Sequence, residues 1–183
     1  ARTLFGWEMP ASYFQSVNPL AVIALAPIMT IIWGFLYARK LEPSSPKKMA
    51  IGLGLVALGY VVIAIAVKGL GLGEKVSMWW LIGLYVIHTI GELCLSPIGL
   101  SMVSKLAPLR LSSLMMGTWF LANAAANKFA GTLSALIPGG EDGKGGATSF
   151  GGFQITNLYE FFVLFIVMSG VAAAILFFLI SKF

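Results

Sequence analysis

Charge is scarce in this chain. Only 10% of its 183 residues are Asp, Glu, Lys or Arg, while 58% are hydrophobic. Soluble domains carry about 25% charged residues, so the scarcity excludes an ordinary soluble domain. With a mean hydropathy of +0.92, it makes the chain an all-α integral membrane protein. Cysteine occurs once, at Cys94, which excludes an internal disulfide and leaves the redox compartment open. Histidine also occurs once, at His88. There is no HExxH, no paired-cysteine metal site and no Ser/His/Asp arrangement, so no metal site, cofactor or enzymatic centre is expected. A secretory signal peptide is missing as well. The start at Ala1-Arg2-Thr3, without an initiator Met, is read as that of a fragment or a processed product.

What is present is a series of apolar runs. Five spans are expected, over 13–37, 49–67, 78–106, 113–136 and 158–180. At ~1.5 Å per residue they suit a hydrocarbon core ~30 Å thick. Residues 1–12 read as a loop reaching the membrane surface. The 39–48 stretch, with Pro43 and Pro46 among its bases, is expected to break any helix. The second span is rich in small residues, although Gly52-Leu53-Gly54 lacks a clean small-xxx-small register. The glycines of the 137–152 stretch have no strand–GxxxxGK–helix setting, so they read as a flexible connector, not a phosphate loop.

The net charge of +5 would suggest nucleic acid in a soluble chain. Here the bases flank the spans in short loops, which is an orientation signal and implies no nucleic-acid partner. Arg39, Lys40, Lys47, Lys48, Lys105, Arg110 and Lys182 fall on one side, and Arg2, Lys68, Lys75 and Lys144 on the other. That excess puts the 37–48 and 105–112 loops and the C-terminus in the cytoplasm. The N-terminus then begins outside, which makes sense if earlier spans precede it.

The third span carries the chemistry. Glu92 is its only acid, placed where a bilayer midplane would fall. A carboxylate there costs at least ~2.5 kcal/mol on insertion scales, so it should face a polar cavity or a cationic partner. His88 and Ser96, one turn either side, share its helical face. Pro97 removes an N–H and should kink the helix, which is tolerated where the freed backbone is buried or lines a cavity. The alternative is a structural glutamate tied to a neighbouring helix.

Four blocks of sequence resemble one family: Phe14-Gln15-Ser16-Val17-Asn18-Pro19; Gly91-Glu92-Leu93 with Ser96-Pro97-Ile98-Gly99-Leu100-Ser101; Leu106-Ala107-Pro108; and Met115-Met116-Gly117 with Trp119-Phe120. In this order and spacing they are similar to the C-terminal half of the proton-dependent oligopeptide transporters of the major facilitator superfamily. The resemblance covers essentially the whole chain and implies helices eight to twelve of twelve, part of a six-helix half. It implies a di- or tripeptide substrate, a proton as coupling ion with no other cofactor, and a plasma (bacterial inner) membrane location. Glu92 matches the cavity glutamate that binds the peptide's amino end, and Asn18 an asparagine that also receives it. Ser96 matches a cavity serine, and Trp119 a tryptophan walling a side-chain pocket. The proton-coupling motif of the first helix, the seventh helix and the fourth-helix lysine have no counterpart here. By resemblance this chain supplies half a peptide site, needs the remaining helices of the same transporter, and is not expected to transport alone. Left without them in the lipid membrane, it is expected to self-associate.

Other residues admit two readings. His88 could relay protons to Glu92, but a packing histidine bonded to a backbone carbonyl is favoured. Lys128 could pair with Glu92 or with an acid outside this chain, or be a snorkelling or interhelical lysine. Asn123 and Asn127, with Trp119 a turn back, form a stripe that suits either a cavity wall or interhelical hydrogen bonding. Trp33, Trp79 and Trp80 read as interfacial anchors. For the whole chain, the alternative to part of a transporter is a non-transporting membrane subunit or scaffold with a structural, buried Glu92.

Overall fold

The computed structural model describes residues 3–4, 7–8, 16–68, 77–134, 137, 148–150 and 153–182. The expected helical start at 13–16, the turn over 69–75, most of the glycine-rich connector and Phe183 lie largely or wholly outside these. Five helices carry the fold: α1 (Val17–Ala38), α2 (Ser45–Val67), α3 (Met78–Leu106), α4 (Ser112–Ser134) and α5 (Leu158–Lys182). Four of them, all but α4, are long and apolar enough to cross a membrane. Two small antiparallel ladders accompany them: β1 (Thr3–Leu4) with β2 (Trp7–Glu8), and β3 (Thr148–Phe150) with β4 (Phe153–Ile155).

The second ladder corrects the expectation of a flexible connector at residues 148–150. Phe150 pairs with Phe153, so two residues separate the strands. Gly-Gly between segments rich in aromatic and β-branched residues is a hairpin signal. Ile155 at its end is fully buried, packed beside the start of α5.

α2 begins at Ser45, four residues earlier than the sequence suggests, so Lys47 and Lys48 belong to its first turn and not to a loop. Pro46 is no obstacle there, because a first-turn N–H has no intrahelical acceptor to lose. Asn18-Pro19 sits likewise in the first turn of α1. α1 and α3 run through Pro27 and Pro97 without ending. α3 stops at Ala107, extended ahead of Pro108 as a residue before proline prefers to be.

α1 closes in a tight cap. The Leu41 N–H donates to the Leu36 carbonyl at 3.0 Å and the Lys40 N–H to that of Tyr37 at 2.9 Å. Lys40 itself is left-handed, with φ 58°. Beyond it, Lys48 pairs with Glu42 and rests 4.6 Å from the centre of the Trp33 ring, joining the end of α1 to the start of α2. At the other end of the chain Glu160 caps α5. Its carboxylate accepts from the Thr156 N–H at 2.6 Å and the Asn157 N–H at 3.3 Å.

The core lies along α2, which packs against α3 on one side and α5 on the other. Its seam with α3 is backbone-close: a Cβ added at Gly52 would lie 2.8 Å from the Gly91 carbonyl oxygen, and one at Gly91 2.9 Å from that of Gly52. Two turns along, Gly59 leaves room for the His88 ring. Tyr60 meets that ring edge-on at 4.6 Å and Phe165 of α5 at 5.1 Å, while Phe165 meets Phe161 at 5.0 Å. α1 and α4 flank α3, and α1 buries none of its own residues within the chain. Large apolar side chains turned outward, such as Ile23 (73% exposed), Ile31 (71%) and Phe178 (72%), suit lipid or further helices.

Candidate functional site

α3 is the centre of the site, and both α1 and α4 pack against it. From the first turn of α1, Asn18 donates through Nδ2 to Glu92 Oε2 at 3.2 Å. The Asn18 Oδ1 accepts from the Thr89 hydroxyl at 2.7 Å. Thr89 and Glu92, three residues apart, lie on one face of α3, so Asn18 bridges two adjacent positions of that helix. Glu92 is exposed within this chain and so is Ser96, a turn further along the same face. Exposed within this chain, Glu92 is also tied by its bond to Asn18 to the neighbouring α1. Its carboxylate is held by one amide donor and keeps acceptor capacity for another.

No ion pair involves Glu92 among the described residues, where Lys48 with Glu42 is the pair formed. Lys128 is exposed on α4 and does not meet it. His88 turns its ring to α2, where Nε2 lies 3.2 Å from the Val56 carbonyl. A carbonyl only accepts, so Nε2 carries the hydrogen there. That arrangement is the one a packing histidine makes. Asn123 and Asn127 are exposed on α4, and no side-chain hydrogen bond is formed by either among the described residues.

Trp119, half-buried, lies against α3 at Gly99, where an added Cβ would collide with the indole. The ring thus sits two turns beyond Glu92, roughly 10 Å along the helix at ~1.5 Å per residue. One helix face therefore carries a carboxylate with its amide partner at one level, a hydroxyl midway and an aromatic wall beyond. A surface depression of about 510 Å³ lined by Tyr37, Ala38, Lys40 and Glu42 is at the opposite end of α1 from Asn18 and is no part of this site.

Two contributions escaped the sequence reading. Thr89 is completely buried and ties Asn18 to α3. Its signal was its place three residues before Glu92. Gly99 is the floor on which Trp119 rests, and only the packing of α4 on α3 reveals that.

A family profile described as the POT family matches residues 1–144. The chain belongs to the POT family. Related proteins align over about three quarters of it. The peptide transporter YePEPT of Yersinia enterocolitica is 39% identical over 138 residues, 74% of this chain and 27% of its own length. Dipeptide and tripeptide permease A of Proteus mirabilis is 35% identical over 139 residues, 76% of this chain and 28% of its own. Among solved structures, a mutant of peptide transporter POT in complex with alafosfalin superposes with a TM-score of 0.80 at 32% identity, covering 100% of this chain and 34% of that one. A POT family transporter in complex with a thioalcohol-conjugated peptide gives 0.74 at 36% identity, covering 98% of this chain and 34% of the other. The chain thus spans about a quarter to a third of the POT proteins it matches. It is an integral membrane protein of a transporter family, with the helical architecture expected from its sequence.

Proposed function

We propose that this chain forms one wall of the central binding cavity of a proton-coupled di- or tripeptide symporter, in the plasma membrane with its C-terminus cytoplasmic. The observation that carries the reading is the Asn18–Glu92 contact on an exposed face midway along the long apolar helix α3. A peptide's ammonium needs an anion and amide or hydroxyl acceptors, and Glu92, Asn18 and Ser96 supply them. Trp119 offers apolar surface to a side chain. The roughly 10 Å between the two levels matches the length of an extended tripeptide at ~3.3–3.6 Å per residue. The names and bound ligands of the relatives support the same substrate class.

Alternating access needs one half of a transporter to rock against the other, so transport requires the further helices of the complete protein. Asn123 is a secondary candidate through its stripe on α4, whereas the His88 ring, turned to α2, packs away from Glu92. The scaffold alternative is not favoured, because the relatives are named as peptide transporters and permeases.

The test uses the complete transporter in proteoliposomes. Glu92→Gln keeps shape and hydrogen bonding but removes the charge. Losing one charge-assisted hydrogen bond should weaken binding of a dipeptide with a free amino group roughly 10- to 150-fold. An N-acetylated dipeptide should lose far less, because it has no ammonium to lose. Equal losses for both ligands would show that Glu92 supports the fold or a gate and does not read the amino end.

A further inference from the structure

Thr89 is the buried polar side chain of the described core, at 0% exposure, and the reading above gives it no role. Its Oγ1 lies 2.7 Å from Asn18 Oδ1 and 2.7 Å from the carbonyl oxygen of Tyr85, one turn back on α3. Both neighbours are acceptors, and a hydroxyl has a single hydrogen to give. A helical threonine ordinarily gives it to the carbonyl four residues earlier. In that case the Thr89 oxygen could only accept. Asn18 would then meet an acceptor with its Oδ1 at either end, the Thr89 oxygen as it stands or the Glu92 carboxylate if the amide flipped. Given to Asn18 Oδ1 instead, the same hydrogen holds Nδ2 towards Glu92, which is the arrangement found, at 3.2 Å.

We propose that Thr89 is a positioning residue for the amino-end site: its hydroxyl secures Asn18 in the amide orientation that directs Nδ2 to Glu92, which in turn steadies the Glu92 carboxylate for an incoming ammonium. The inference rests on the reading of Glu92 and Asn18 as the amino-end site. Thr89 never touches the ligand. It acts by pre-organising the two groups that do, and pre-organised groups lose less freedom when the ligand arrives.

The experiment compares wild type, Thr89→Val, Thr89→Ser and Glu92→Gln in the complete transporter. Each is measured for binding of a dipeptide with a free amino group and of its N-acetyl analogue. Valine has nearly the shape of threonine without the hydroxyl. It should weaken the free-amine dipeptide roughly 2- to 12-fold, the worth of one neutral hydrogen bond, and leave the acetylated one nearly unchanged. Serine keeps the hydroxyl and should restore binding to within about twofold. Thermal unfolding is followed for every variant, and Thr89→Ala carries the comparison if the valine protein does not fold. Wild-type binding by the valine variant, equal losses for both ligands, or a serine variant as weak as valine would each overturn the proposal. If Glu92→Gln fails to discriminate between the ligands, the amino-end site itself falls, and Thr89 loses the role with it. Discrimination by Glu92→Gln without any by Thr89→Val defeats only the Thr89 assignment.

Discussion

Lys40 occupies a backbone conformation that side chains resist. Its left-handed φ of 58° closes the α1 cap through two backbone hydrogen bonds. For an L-residue that conformation costs roughly 1–2 kcal/mol, whereas glycine adopts it freely. Part of the gain from glycine is lost again to its greater freedom in the unfolded chain. Lys40→Gly should therefore raise stability by up to about 1 kcal/mol, read as a higher unfolding temperature in detergent. A lower temperature would mean that the Lys40 side chain contributes more than its backbone costs. At the same scale, Asn18 and Glu92 show how little a polar site needs to be defined. A single amide reaching from the next helix sets the carboxylate's position.

The α2–α3 seam is governed by where small residues fall, not by how many there are. Gly52 and Gly54 are close in sequence but point to opposite fates. A Cβ at Gly52 would meet the Gly91 carbonyl oxygen at 2.8 Å, whereas nothing lies within 4 Å of one at Gly54. Backbone cannot yield as a flexible side chain can. Gly52→Ala should therefore cost about 1–2 kcal/mol net of its better helix propensity. Gly54→Ala should gain up to about 1 kcal/mol from propensity alone. Thermal unfolding of the two variants side by side checks the pair. Equal shifts would mean that the helices can separate at no cost. The same seam accommodates the His88 ring over Gly59 and the aromatic contacts with α5, so loosening it should also disturb the far side of α2.

At the scale of the molecule, alternating loops follow from helices joined end to end. The basic residues of the α1–α2 and α3–α4 turns and of the C-terminus predict a cytoplasmic location for all three. Cysteines introduced at Ser45 and Gly143 should react with membrane-impermeant reagents from opposite faces. Cys94 is 1% exposed and should give little background. Labelling from the same face would overturn the assignment. Expressed alone, the chain leaves Glu92, Ser96 and the outer face of α1 uncovered, so it should self-associate in mild detergent. Light scattering coupled to size exclusion should give a mass above that of one chain. A monomeric particle would count against it.

The sequence by itself determined the membrane class, the number of helices and the family, because these depend on composition, run length and short motifs in order. It also singled out Glu92 and Ser96, since polar residues in an apolar run stand out without coordinates, while Asn18 and Trp119 came from the resemblance to the family. Helix starts were less legible. Pro46 looked like a breaker until its place in a first turn was known, and residues 148–150 looked like slack chain until their pairing with 153–155 was seen. What only the tertiary structure decided was which groups meet. Asn18 and Thr89 are separated by 71 positions, and their contact exists because α1 packs on α3. Likewise, Gly99 is a seat for Trp119 because α4 crosses it, and His88 turns to Val56 because Gly59 leaves the space. Hydrophobic runs encode that a helix forms, but side-chain shape at the contact chooses its neighbour, and that shape is complementary only once both surfaces are present.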